Sequence, residues 1–139
     1  GALAGGMTRE EAETLKNYGH NIGMAFQMKD DLLDFAEACE TDKNSGQDLR
    51  RGIYTYPVLY LKEEGMLKDM ELLFEKKEKS EEDIRELTDF IKKNGGVEKT
   101  QDMIYSFSLK AIKELDSLPK TRECEALKKL AKELVTRKK

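Results

Sequence analysis

Four side chains on one short stretch have the types and spacing to do chemistry together. Residues 23–34 read Gly-Met-Ala-Phe-Gln-Met-Lys-Asp-Asp-Leu-Leu-Asp, so Gln27, Asp30, Asp31 and Asp34 recur three or four positions apart. On an α-helix such residues share a face, with Cβ atoms about 5–6 Å apart. The apolar residues Ile22, Ala25, Phe26, Leu32, Leu33 and Phe35 cover much of the remaining surface, and a helix with so little polar surface is expected to be enclosed by neighbours. Enclosed carboxylates repel one another and lose solvation, so they require a compensating charge. A divalent cation is the natural one: Mg²⁺ takes oxygen ligands, keeps several waters, and is usually held by one or two carboxylates plus substrate phosphates. The competing reading is a solvated acidic face, which acidic chains produce by accident.

The elements that must position this stripe are helical. Thr8 followed by Glu11 is a capping box that opens a helix running to about residue 35. Gly19 and Gly23 lie on one face of it, each costing about 1 kcal/mol against Ala, and close packing against another helix is the expected return. His20, alone, reads as a surface or packing residue. Residues 36–52 lose the apolar period and read as a loop. Within it Asp42, Asn44, Gly46 and Asp48 imitate a calcium loop, but Gln47 and Ile53 stand where that motif needs Gly and Glu, which excludes it. Pro57 suits the first turn of a short helix ended by Gly65. A further helix carries Leu67, Met70, Leu73 and Phe74, and Ser80 caps another bearing Ile84, Leu87 and Ile91 that closes at Asn94-Gly95-Gly96. Residues 97–118 form a long helix with Ile104, Phe107, Ala111, Ile112 and Leu115 on its apolar face, broken by Pro119. The last helix shows Leu127, Leu130, Ala131 and Leu134, then a basic end, Arg137-Lys138-Lys139, that complements the helix dipole. The fold class is therefore all-α, with about six or seven helices and no strand pattern.

The chain of 139 residues is one domain or a piece of one. Lys plus Arg number 25 against 28 Asp plus Glu, a net charge of −3, which leaves no basic excess for nucleic acid. No apolar run approaches the roughly 18 residues that span a membrane. The opening residues Gly1-Ala2-Leu3-Ala4-Gly5-Gly6 lack the charge and length of a signal peptide and read as a helix tail, as if the chain continued upstream. Cys39 and Cys124 have no metal-ligand spacing, and a reducing cytoplasmic setting is the default for a chain with so few cysteines.

Four blocks in order carry a family resemblance: Gly23-Met24-Ala25-Phe26-Gln27; Asp30-Asp31-Leu32-Leu33-Asp34; Lys43-Asn44-Ser45-Gly46-Gln47-Asp48-Leu49; and Gly52-Ile53-Tyr54-Thr55-Tyr56-Pro57. The chain resembles the trans-type polyprenyl diphosphate synthases at their second aspartate-rich region, sharply over residues 19–57 and loosely elsewhere. The resemblance implies the C-terminal part of an isoprenoid-synthase helical bundle. It implies a Mg²⁺-dependent condensation of an allylic diphosphate with isopentenyl diphosphate, through ionisation, addition of the carbocation to the double bond, and loss of a proton. Asp30 and Asp34 would be Mg²⁺ ligands, with Asp31 a ligand or a support to one. Lys43 would neutralise diphosphate oxygens as a point charge. Gln27 would face the reacting carbon, and Phe26 beside it would line the substrate. Ile53 departs from the lysine frequent at that position in the family.

The family's first aspartate-rich motif is absent from residues 1–139, which implies half of a site, inactive alone. A homodimer, or association with an N-terminal half, is expected to cover the apolar surface so exposed. Two other readings differ in class. One is a non-catalytic partner subunit of a synthase, against which three buried carboxylates argue, being costly to keep without a task. The other is a helical interaction module whose acidic stripe is simply surface.

Overall fold

The computed structural model describes residues 8–40 and 46–136. Among them the chain forms seven α-helices and no strand: α1 (Arg9–Ala38), α2 (Gln47–Arg50), α3 (Tyr56–Glu63), α4 (Glu71–Glu75, preceded by a 3₁₀ turn at Lys68–Met70), α5 (Glu81–Lys93), α6 (Gly96–Leu115) and α7 (Arg122–Thr136). The all-α expectation and the helix number hold.

Local chemistry accounts for most of the boundaries. At the start of α1 the Glu11 amide donates to Thr8 Oγ1 while the Thr8 amide donates to Glu11 Oε1, both at 3.0 Å, so two otherwise orphaned donors are satisfied reciprocally. Ser80 and Asp83 repeat the device at α5, with Asp83 N to Ser80 Oγ at 3.1 Å and Ser80 N to Asp83 Oδ2 at 2.9 Å. Helix α6 stops at Leu115 rather than near residue 118. A proline clashes with the carbonyl four residues before it, and Pro119 therefore sets the limit at Leu115. The freed Leu115 carbonyl accepts from Leu118 N and from the buried Cys124 thiol. Thr121 Oγ1 then caps α7 through Cys124 N, at 3.1 Å.

Two compact units divide the chain: residues 1–27 with 103–138, and residues 28–102. In the first, Tyr18, Ile22 and Ala25 are buried, as are Ile104, Ala111, Leu115, Ala131 and Leu134, and the Tyr18 hydroxyl donates to the Leu127 carbonyl at 2.9 Å. Leu130, expected inside, is exposed. In the second, Phe35, Leu49, Val58, Leu61, Phe74, Ile84, Leu87 and Ile91 form the buried core.

Four expectations need correction. The stretch read as a loop over residues 36–52 contains the end of α1 and the whole of α2. Four residues carry too weak a pattern to register as a helix, and tertiary contacts hold α2 in place. The expected helix through Leu67 and Phe74 is split into a 3₁₀ turn and the short α4. Helix α1 is also not enclosed: Tyr18, Ile22, Ala25, Met28, Phe35 and Ala38 are buried at helical spacing, while Gly19, Gly23, Phe26, Gln27, Asp30 and Leu33 are exposed. A side chain at Gly19 or Gly23 would meet nothing within 4 Å among the described residues, so neither glycine serves a close contact with another described helix. Cys39 and Cys124 are both free thiols, and His20 is exposed as expected. The N-terminal tail at residues 1–6 and the basic end at residues 137–139 lie outside the described residues.

Candidate functional site

The second unit ties the acidic stripe to the two blocks that follow it in sequence. Asp34 Oδ1 accepts a hydrogen bond from the Asp48 amide at 3.2 Å, in the first turn of α2. Asp31 Oδ2 accepts one from the Tyr56 amide at 3.0 Å, the first residue of α3. Each carboxylate therefore sits at the positive end of a following helix, where it satisfies an orphan donor.

The residue types of these blocks follow from that arrangement. Gly46 precedes α2 with φ 64°, in the left-handed region, and is buried. A Cβ on it would run into the backbone and side chain of Ala38, so only glycine lets the chain turn so close to the end of α1. Gly52 closes α2 with φ 72°. Its amide donates to the Leu49 carbonyl at 3.2 Å and the Ile53 amide to the Asp48 carbonyl at 2.9 Å, the paired bonds of a glycine-terminated helix end. Leu49, 2% exposed, anchors the short helix in the core. Helix α3 begins after Thr55, whose carbonyl accepts from Val58 and Leu59. Pro57, its second residue, has no N–H to satisfy. That leaves the Tyr56 amide as the donor Asp31 serves.

The electrostatics differ across the stripe. Burial pushes the Asp34 carboxyl above its ordinary value; the Asp48 and Leu49 amides oppose this, and the neighbouring Asp48 and Glu37 carboxylates add to it. Among the described residues the buried Asp34 Oδ2 atom has no hydrogen-bond partner. Asp30 is exposed, and Asp31 and Asp34 are half-buried. Among the described residues no three acidic, histidine or cysteine side chains converge as a closed metal cage would. A buried carboxylate oxygen without a donor, one turn from an exposed carboxylate, does fit a hard cation that draws its remaining ligands from water and phosphate.

Of the other expected residues, Gln27 and Phe26 lie on the earlier part of α1, in the first unit, and are exposed, Phe26 by 42%. Lys43 lies outside the described residues. Ile53, at the position where the family often has lysine, is exposed. Three residues that the sequence reading missed bear on the site from a distance. Arg50 makes a two-pronged ion pair with Glu81, at 2.9 and 3.2 Å, and Lys79 Nζ donates to the Arg50 carbonyl at 3.0 Å. The one sequence signal near them is the Ser80 cap, which places Glu81 in the first turn of α5.

Comparisons with known proteins bear on the family and the fold. A family model described as polyprenyl synthetase matches residues 1–91. The chain is 32% identical over 139 residues to heptaprenyl diphosphate synthase component 2 of Bacillus subtilis, covering 99% of this chain and 40% of that one. It is 31% identical over 127 residues to the mitochondrial solanesyl-diphosphate synthase 1 of rice, covering 91% of this chain and 29% of that one. Among solved structures, the geranylgeranyl pyrophosphate synthase of Corynebacterium glutamicum, complexed with calcium and isoprenyl diphosphate, matches with a TM-score of 0.79 and 33% identity, over 96% of this chain and 42% of that one. A decaprenyl diphosphate synthase from Rhodobacter capsulatus matches with a TM-score of 0.81 and 30% identity, over 96% of this chain and 42% of that one. The chain spans less than half the length of these relatives.

Proposed function

This chain belongs to the polyprenyl synthetase family, and on that premise we propose that it supplies one wall of a Mg²⁺-dependent prenyl-transfer site. The substrates are an allylic diphosphate and isopentenyl diphosphate. The carbon–oxygen bond of the first breaks, pyrophosphate leaves with the bonding electrons, the resulting carbocation adds to the double bond of the second, and a proton is lost.

The observation that carries this reading is the pair of carboxylate-to-amide bonds from α1, Asp34 to Asp48 and Asp31 to Tyr56, which bring three of the four sequence blocks together. Asp30, exposed, and Asp34, through its partnerless Oδ2, would hold the cation. Bound there, Mg²⁺ would offset the charge that develops on the departing diphosphate. Asp31 keeps the start of α3 against α1. Lys43 is assigned to diphosphate oxygens. Gln27, one helical turn before Asp31, is assigned to the reacting carbon, where an amide dipole favours a cation without reacting with it, and Phe26 to the substrate chain. The naming of the Bacillus subtilis relative as a component and the exposed Phe26 and Leu33 support a complementary half or a second copy over this face.

Those exposed apolar side chains also favour a second reading, a subunit that completes another chain's site and does not turn over itself. Calorimetric titration of pyrophosphate with and without Mg²⁺, on this chain and on Asp30→Asn, tests the first. Metal-dependent binding that the substitution abolishes supports it; binding that Asp30→Asn leaves intact refutes it. Prenyl transfer on addition of a complementary N-terminal half separates the first from the second.

A further inference from the structure

We propose that Arg50, Lys79 and Glu81 are positioning residues, which hold α2 so that the Asp48 amide meets Asp34 Oδ1. The inference rests on the reading of Asp34 as part of the diphosphate site for its functional consequence, and on geometry alone for the clamp itself. All of the residues concerned lie in the unit formed by residues 28–102.

A four-residue helix cannot hold itself in water, because nucleating a turn fixes several residues for one hydrogen bond. Helix α2 has few bonds of its own: Arg50 N to the Gly46 carbonyl at 3.2 Å and Arg51 N to the Gln47 carbonyl at 3.0 Å. At its beginning it is held by Asp34. Its final turn is fixed from the segment that opens α5. The glycine-terminated end uses the Asp48 and Leu49 carbonyls and leaves the Arg50 carbonyl to another donor. Lys79 Nζ provides it at 3.0 Å, and the same ammonium donates to the Lys76 carbonyl at 2.8 Å and lies 5.7 Å from the centroid of the Phe74 ring. The Arg50 guanidinium donates to both oxygens of Glu81, at 2.9 and 3.2 Å. A bidentate pair fixes orientation as well as distance, which a lysine at position 50 could not do. Glu81 is placed in turn by the Ser80–Asp83 capping box, with Lys76 on Asp83 at 2.9 Å. The first turn of α5 is thereby coupled, through α2, to a carboxylate of α1. None of the three residues belongs to the four sequence blocks.

Amide hydrogen exchange followed by NMR on the full 139-residue chain tests the clamp without any ligand. In Glu81→Gln and in Lys79→Met the Asp48 amide should exchange about tenfold faster, the loss of one charge-assisted bond, while the Ile91 amide in α5 keeps its rate. The reversed pair, Arg50→Glu with Glu81→Arg, should return Asp48 most of the way to the wild-type rate, which a merely destabilising change would not do. An unchanged Asp48 rate, or equal acceleration of Asp48 and Ile91, overturns the clamp. Titration of pyrophosphate with Mg²⁺ on the same variants reads its consequence. Binding weakened in step with Asp48 exchange supports the positioning role, and wild-type affinity in Glu81→Gln overturns it. Absence of binding in the unsubstituted chain would refute the diphosphate reading and leave the clamp to be decided by exchange.

Discussion

Substitution should separate two adjacent aspartates that look equivalent in sequence. Asp31→Ala should cost stability, whereas Asp30→Asn should leave stability unchanged and remove metal-dependent pyrophosphate binding. The magnitude for Asp31 follows from the start of α3. Thr55 makes no side-chain cap there, Pro57 has no amide hydrogen, and the Tyr56 amide donates to Asp31 Oδ2 at 3.0 Å. Removing the carboxylate forfeits a charge-assisted hydrogen bond, about 1.5–3 kcal/mol, and a negative charge at a helix N-terminus, about 0.3–1 kcal/mol. Asp31 is half-buried, so water returns part of this, and a net loss of about 2 kcal/mol is expected. In urea that moves the unfolding midpoint down by roughly 1 M, at slopes of about 1–3 kcal/mol/M. Asp31→Asn keeps an acceptor for the amide and should recover at least half of the loss. Asp30 is exposed, and Asp30→Asn should stay within about 0.5 kcal/mol of the parent. Circular dichroism against urea on the three variants measures all of this in one series. Equal stability of Asp31→Ala and the parent would refute the capping argument, and so would a loss in Asp30→Asn as large as that in Asp31→Ala.

Four other outcomes follow from the same structure. Ser80→Ala removes one arm of the α5 capping box and should cost about 1 kcal/mol, read from the urea midpoint. Gly46→Ala must place a Cβ against Ala38 from a left-handed backbone and should cost at least about 2 kcal/mol, with faster exchange at the Asp48 amide. Burial raises the Tyr18 hydroxyl above its ordinary 10.0. The folded chain therefore holds that proton more tightly than the unfolded one, so stability is full below pH 10 and falls as pH rises through the raised value. Tyr18→Phe should flatten that fall when midpoints at pH 8 and pH 10.5 are compared, without abolishing it, because Tyr54 and Tyr56 shift in the same direction. Cys39 is exposed and Cys124 buried, so a thiol reagent should modify one cysteine per native chain and two only in denaturant.

What could be read from the sequence was what is decided locally. The capping boxes at Thr8 and Ser80, the proline limit after α6 and the long apolar periods of α5 and α6 need only neighbours within a few residues. Helix α2 was missed because its stability comes from Asp34, Lys79 and Glu81, none of them near it in sequence. The openness of α1 was missed for a related reason. Phe26 and Leu33 are as apolar as Ile22 and Phe35, and composition does not say which of two apolar faces has a neighbour. Hydrogen bonds to backbone amides are harder still to foresee, since every residue but proline offers the same donor.

That invisibility bears on how the acidic motif should be understood. Asp31 and Asp34 are three residues apart on α1, and the amides they hold, Tyr56 and Asp48, begin two successive helices. The spacing between the blocks is thus what a turn closed by Gly46, a four-residue helix closed by Gly52, and an entry through Thr55 and Pro57 require if both helix starts are to reach one face of α1. A motif read as a set of metal ligands is also a folding device, and the backbone takes one oxygen from each of two of its carboxylates. Asp31 spends Oδ2 and Asp34 spends Oδ1 on the backbone, while among the described residues the buried Asp34 Oδ2 has no partner. Burial without a partner disfavours the ionised form, in line with the raised Asp34 carboxyl. On the proposed reading, a cation at that oxygen would reverse the penalty, so binding and stability would meet at Asp34 Oδ2 rather than along the stripe as a whole.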